Sequence, residues 1–204
     1  MKRGELFIIT APSGAGKTSI VKAITDILPQ IKKSVSFTTR PMRPGETEGV
    51  DYHFVDTATF LSMKRKGDFL EYAEVFGNYY GTSRSWLQEQ LNKGNDVILE
   101  IDWQGAQQVR RAFPDCTSIF ILPPSREILL ERLRARGQDS ENVISRRTLE
   151  AVTEMSHYHE FDYTIINDVF ETAVEEVKAV MISIHVETSN QEQVHTQLIK
   201  ELLE

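Results

Sequence analysis

The chain has 204 residues, 40% hydrophobic and 26% charged, which suits one soluble domain with room for inserted lobes. A chain of this length buries roughly 70% of its unfolded surface, so it needs no staples. The single cysteine, Cys116, excludes a disulfide framework and a cysteine-based zinc site, and the net charge of −7 argues against a general nucleic-acid binder. Gly and Pro total 18, too few for a fibrous or disordered chain. The apolar runs are too short for a signal peptide or a membrane span, so the expected location is the cytoplasm, without membrane or nucleic-acid partners.

The acidity also speaks against a phosphate ligand, but it is unevenly placed. Residues 151–204 hold eleven acidic side chains and two lysines. The first 150 residues hold 21 basic and 19 acidic side chains, and the arginines there cluster around 40–43 and 126–147. A few placed cations can hold phosphate on an otherwise acidic protein.

In chain order, 5–10 reads as a β-rich apolar strand. The glycine-bearing segment 11–18 (APSGAGKT) follows, then a helix with Ile20, Val21, Ile24, Ile27 and Leu28 at helical spacing, closed by Pro29. Residues 32–43 hold four basic and no acidic side chains and read as a short strand and a loop. Strands are expected at 51–55 and 69–76, with a helix between them capped by Asp56. Gly77-Asn78 marks a hairpin turn. Ser85 with Gln88 fits a capping box for a helix that Gly94 ends.

A buried strand at 96–101, a helix at 103–113 and a strand at 118–122 follow. Ser125 caps an arginine-rich helix that ends at Gly137, and a long helical pattern runs to about 159. The last strand is expected at 163–166. Asp168 with Glu171 fits a capping box for a helix over 170–186, and a polar tail ends in a short amphipathic segment. Alternating strands and helices predict an α/β fold, a parallel sheet flanked by helices.

Residues 11–18 match G-x-x-x-x-G-K-[ST] except that Ala11 replaces the first glycine. Gly14 and Gly16 permit backbone conformations that turn successive N–H groups toward one anion, and the following helix adds its positive end. Lys17 adds a point charge on the outer phosphates, and Thr18 a hydroxyl for Mg²⁺. The plainer alternative is a glycine turn joining strand to helix; the correct flanks weigh against it.

From Gly4 to about Val186 the chain resembles the guanylate kinases, a branch of the P-loop nucleoside monophosphate kinases. The resemblance rests on APSGAGKT, SFTTRPMRPGE (36–46), DYHFV, FLEYAEVFGNYYGT (69–82), LEIDWQGA (99–106), RLRARG and IIND (165–168). Ala11 matches what that family commonly has. The resemblance implies a P-loop core (about 1–35, 91–125 and 150–190), a mixed α/β GMP-binding lobe (about 36–90), a helical lid (about 126–149) and a C-terminal extension. It implies Mg²⁺-dependent phosphoryl transfer from ATP to GMP, and by extension dGMP, by a monomer or homo-oligomer.

Residue by residue, the resemblance places Ala11, Pro12, Ser13, Gly14, Ala15, Gly16, Lys17, Thr18, Arg132, Arg136 and Asn167 at ATP. It places Ser36, Arg40, Arg43, Tyr52, Glu71, Tyr80, Thr82 and Asp102 at GMP, with Lys17, Arg40, Arg136 and Arg147 in catalysis. Thr18 would hold Mg²⁺, with Glu100 or Asp102 acting through water. Guanidinium groups bind phosphate bidentately. A carboxylate at Glu71 can accept from both donors on the guanine edge, whereas adenine would leave it unpaired. For Arg40 and Arg43 the plainer alternative is a solvated basic loop, and for the lid arginines an arginine-rich surface helix. For Glu71 it is an outward strand residue, and alternation cannot separate the two. Two rival functions stand beside this one: a kinase for another nucleoside monophosphate, and a non-catalytic guanylate-kinase-like binding module. The five histidines are expected bystanders.

Overall fold

The computed structural model describes residues 2–75, 77–135 and 141–204, without the side chains at 141–143, 145 and 146. Five strands form one parallel sheet: β1 (Leu6–Thr10), β2 (Ile31–Lys33), β7 (Asp96–Glu100), β8 (Thr117–Leu122) and β9 (Tyr163–Ile166), in spatial order β2-β7-β1-β8-β9. Helices cover both faces, so the central strands are apolar throughout rather than alternating with polar residues. Period-2 alternation still divides the core. Phe7 and Ile9 of β1 join the layer under α1 (Lys17–Ile27) and α7 (Phe170–His185), while Leu6 and Ile8 join the opposite layer. That second layer lies against α3 (Arg84–Asn92) and α4 (Trp103–Ala112).

From β1 the chain runs out to β2, returns to β7, then crosses to β8 and β9. The carboxyl ends of β1 and β7 therefore lie side by side, with Ile9 paired to Glu100. Such a reversal opens a crevice where open α/β sheets bind ligands.

A second sheet comes from within 37–83: β3 (Phe37–Thr38), β4 (His53–Phe54), β5 (Phe69–Val75) and β6 (Asn78–Ser83), in order β4-β3-β6-β5. It carries α2 (Thr57–Lys66), whose N-cap Asp56 accepts from Thr59 N–H at 2.7 Å as expected. The expected strand at 51–55 is limited to its two residues paired with β3. α5 (Arg126–Ala135) and α6 (Glu141–Ser156) pack through Leu129, Leu133, Ile144 and Ala151, and a 3₁₀ turn (His157–Glu160) follows. The expected cap Ser125 is in place, accepting from Ile128 N–H at 3.2 Å. α8 (Thr188–Val194) and α9 (Thr196–Leu203) end the chain.

Two expected capping boxes do not form. α3 starts at Arg84, so Ser83 is its cap and accepts from Trp86 N–H; Ser85 falls inside the first turn. α7 starts at Phe170 with Val169 at the cap position, which puts Asp168 one residue too early to reach the free N–H groups.

Candidate active site

β1 delivers the chain into the 11–18 loop at the carboxyl edge of the sheet. Gly14 and Gly16 have φ of 93° and 95°, a left-handed conformation that a side chain would strain. The loop is braced from β9. Asn167, buried just past that strand, donates from Nδ2 to Ala15 O at 2.7 Å. A Cβ at Gly16 would lie 2.4 Å from that Nδ2, so a side chain there would also have to displace the amide that braces Ala15. Arg132 of α5 donates to Asn167 O at 3.1 Å, and its buried Nη1 has no hydrogen-bond partner among the described residues.

Lys17 begins α1 and donates from Nζ to Ile101 O at 3.2 Å. The Thr18 hydroxyl donates to Glu100 Oε1, and Glu100 Oε2 pairs with Lys33 at 3.0 Å. Burial alone would raise the Glu100 carboxyl; Lys17 and Lys33 outweigh it and hold it below its ordinary range. An ionised carboxylate beside a hydroxyl is a fitting oxygen pair for Mg²⁺, which prefers few protein ligands and keeps phosphate oxygens and waters. Among the described residues no group of three His, Cys, Asp or Glu could hold a metal alone. Asp102 caps α4, accepting from Gly105 N–H at 2.8 Å.

The second sheet brings the predicted guanine residues together. Glu71 pairs with Thr82 across β5 and β6, next to a register shift between Phe69 and Glu71. It is 3% exposed, so the outward alternative is excluded. Its Oε2 would lie 2.7 Å from a Cβ at Gly105, so helix α4 can approach the carboxylate only because that position has no side chain. Burial pushes the Glu71 carboxyl up to about 7. Hydrogen bonding with Thr82 works against the rise, and Asp102 adds to it. The hydroxyls of Ser36 and Thr82 are 3.5 Å apart, which completes a small polar cluster.

Arg40 forms a two-pronged pair with Glu46, at 3.0 and 2.7 Å, and Arg43 N–H donates to the same carboxylate at 2.7 Å. The apparent lack of a neutralising acid up to residue 44 is thus supplied two residues later. Burial opposes ionisation of Glu46, yet these hydrogen bonds hold its carboxyl below the ordinary value. The Arg40 guanidinium lies 5.4 Å over the Tyr52 ring, and Tyr52 sits 6.0 Å edge-on from Tyr80. Burial raises the Tyr52 phenol, with Glu100 adding to the rise, so it stays a donor. Tyr79 instead stacks on Phe60 in the lobe interior.

Arg147 is half-buried on α6, and Arg136 lies outside the described residues. Four participants escaped sequence reasoning. Glu46 and Lys33 neutralise predicted residues, Gly105 makes room for Glu71, and Glu154 of α6 accepts from Ser13 N–H at 3.2 Å. Only Gly105 carried a signal, a glycine inside a helix where it costs stability.

A parallel sheet with a glycine loop, lysine and threonine at its carboxyl edge defines a P-loop nucleotide-binding protein. Similarity to known proteins narrows that class. The family profile described as guanylate kinase matches residues 3–184. A guanylate kinase of Pseudomonas fluorescens is 58% identical over 200 residues, covering 98% of this chain and 97% of that one. Another, from Vibrio cholerae, is 53% identical over 205 residues, covering 100% and 99%. The crystal structure of guanylate kinase from Anaplasma phagocytophilum matches with a TM-score of 0.77 at 33% identity over 97% of both chains. The chain belongs to the guanylate kinase family and is a nucleoside monophosphate kinase.

Proposed function

We propose that this enzyme transfers the γ-phosphoryl group of ATP to GMP, and to dGMP, with Mg²⁺. The observation that carries the guanine assignment is the fully enclosed Glu71 carboxylate beside Thr82, Ser36 and Asp102. Guanine offers two N–H donors on one edge, and their hydrogen bonds would favour the ionised carboxylate. Adenine would leave it unpaired at a cost of about 1–3 kcal/mol or more.

The acceptor is a phosphate oxygen of GMP, whose second pKa is about 6, so no general base is needed at neutral pH. The task is to align two mutually repelling anions. Arg40 and Arg43, with Tyr52 and Tyr80 as hydroxyl donors, hold the GMP phosphate, and Arg40 exchanges Glu46 for it. The 11–18 backbone and Lys17 hold the ATP phosphates. Bound Mg²⁺ would neutralise phosphate charge and fix its geometry, held by Thr18 and Glu100, with Asp102 nearby. Arg132 offers to phosphate its buried Nη1, which has no partner among the described residues. Arg136 and Arg147 complete the lid, whose closure excludes the water that would hydrolyse ATP. Asn167 serves ATP by bracing Ala15.

No helix among the described residues is long and apolar enough to cross a membrane. We place the enzyme in the cytoplasm, where both substrates are available. A coupled ADP-release assay across GMP, AMP, UMP and CMP tests the reading. GMP should turn over fastest; faster turnover of AMP would refute the guanine assignment.

A further inference from the structure

Glu154 is an acidic side chain that meets the backbone of the phosphate loop from outside it. It projects from the last turns of α6, and its Oε2 accepts from Ser13 N–H at 3.2 Å. Loop N–H groups of this kind are arranged for an anion. Burial, with Asp102 and Glu150 adding to it, raises the Glu154 carboxyl above its ordinary range, against the pull of Ser13 N–H and Lys17. A carboxylate with two acidic neighbours, on a loop suited to phosphate, occupies part of an anion site.

The helix that presents it is firmly anchored. Three residues on, the His157 ring lies on Trp103 at 3.6 Å between centroids and 8° between planes. His157 Nδ1 is 2.6 Å from Glu160 Oε1, and Gln107 Nε2 donates to Glu160 Oε2 at 2.8 Å. Trp103 and Gln107 belong to α4, which starts at the carboxyl edge of the sheet. This clamp places Glu154 against the loop rather than leaving it to reach there by chance. Arg147 precedes Glu154 by seven residues on the same helix, two turns away on the same face.

We propose that Glu154 is an internal occupant of the phosphate loop, a carboxylate that holds Ser13 N–H in the nucleotide-free enzyme and that polyphosphate must displace. It is a positioning residue that lowers the affinity for ATP. Because it shares a helix with Arg147, it also links the filling of the loop to the helix that carries a lid arginine. The inference rests on the assignment of the 11–18 loop to ATP.

Calorimetric titration with Mg·ATP, without GMP, compares the wild type with Glu154→Gln and Glu154→Ala. Glutamine keeps the shape and the acceptor but not the charge, and a charged acceptor outweighs a neutral one enough to predict about five-fold tighter ATP binding. Alanine should bind ATP at least as tightly as glutamine does. In steady state the KM for ATP should fall while that for GMP stays within about two-fold, a split that a merely structural role would not produce. Unchanged or weaker ATP binding by folded Glu154→Gln overturns the proposal, and that variant alone decides if Glu154→Ala does not fold. A wild type that binds no Mg·ATP would overturn the loop assignment instead.

Discussion

Glu71→Gln separates the stability of this fold from its function. In the free enzyme burial raises the Glu71 carboxyl from 4.5 to about 7. The folded state therefore binds this proton more tightly than the unfolded chain does. The stability that goes with it is fully present below pH 4.5 and is lost as pH rises through 7. At about 1.4 kcal/mol per pKa unit, ionising the enclosed carboxylate costs about 3 kcal/mol by pH 8, but under about 1 kcal/mol at pH 5. Glutamine can still accept from Thr82 and carries no charge to bury. Ligand-free Glu71→Gln should thus gain about 2–3 kcal/mol relative to wild type between pH 5 and 8. For a chain of this size that corresponds to a rise in Tm difference of roughly 5–10 °C. Urea unfolding at pH 5, 6, 7 and 8 measures it. A stability difference that does not vary with pH, or one that turns against the variant as pH rises, would refute the buried-charge argument. The same substitution should raise the KM for GMP and soften discrimination against other bases; unchanged kinetics would refute the role of Glu71 in reading guanine.

Lys17→Ala should lower kcat by at least about 10²-fold while sparing much of the GMP affinity, because the charge acts on the transferring phosphate. Stopped assays with GMP titration read both values. Gly105→Ala would bring a Cβ within 2.7 Å of Glu71 Oε2. It should weaken GMP binding at least ten-fold, at a stability cost of about 1–3 kcal/mol, seen by calorimetry with GMP and by urea unfolding. Asp96 lies at the other end of β7, 6% exposed, and accepts from Glu5 N–H at 2.8 Å with His185 Nε2 at 2.7 Å. Asp96→Ala should cost about 2–3 kcal/mol in urea unfolding and leave the KM values near wild type, since it touches nothing at the nucleotide edge.

The sequence alone determined whatever depends on neighbours along the chain. Gly14, Gly16, Lys17 and Thr18 between an apolar strand and a helix specify an anion loop, because backbone freedom and helix-end charge are local properties. Asp56 and Ser125 as helix caps, and the strands at 6–10 and 163–166, follow from local hydrogen bonding and apolar patterning. The ordered motifs carried the family and with it the predicted site residues.

Tertiary structure decided what depends on partners far apart in sequence. Alternation in 69–76 left Glu71 inward or outward; the approach of Gly105, 34 residues away, encloses it and gives it an unusual charge state. The helix starts at Arg84 and Phe170 moved the caps away from Ser85 and Asp168, since packing sets where a helix begins to within a residue. Glu154 meets Ser13 across 141 residues, through a helix held by a ring stack that no local pattern specifies. Local chemistry wrote the glycine loop into the sequence; packing alone brought Glu154 against it and enclosed Glu71.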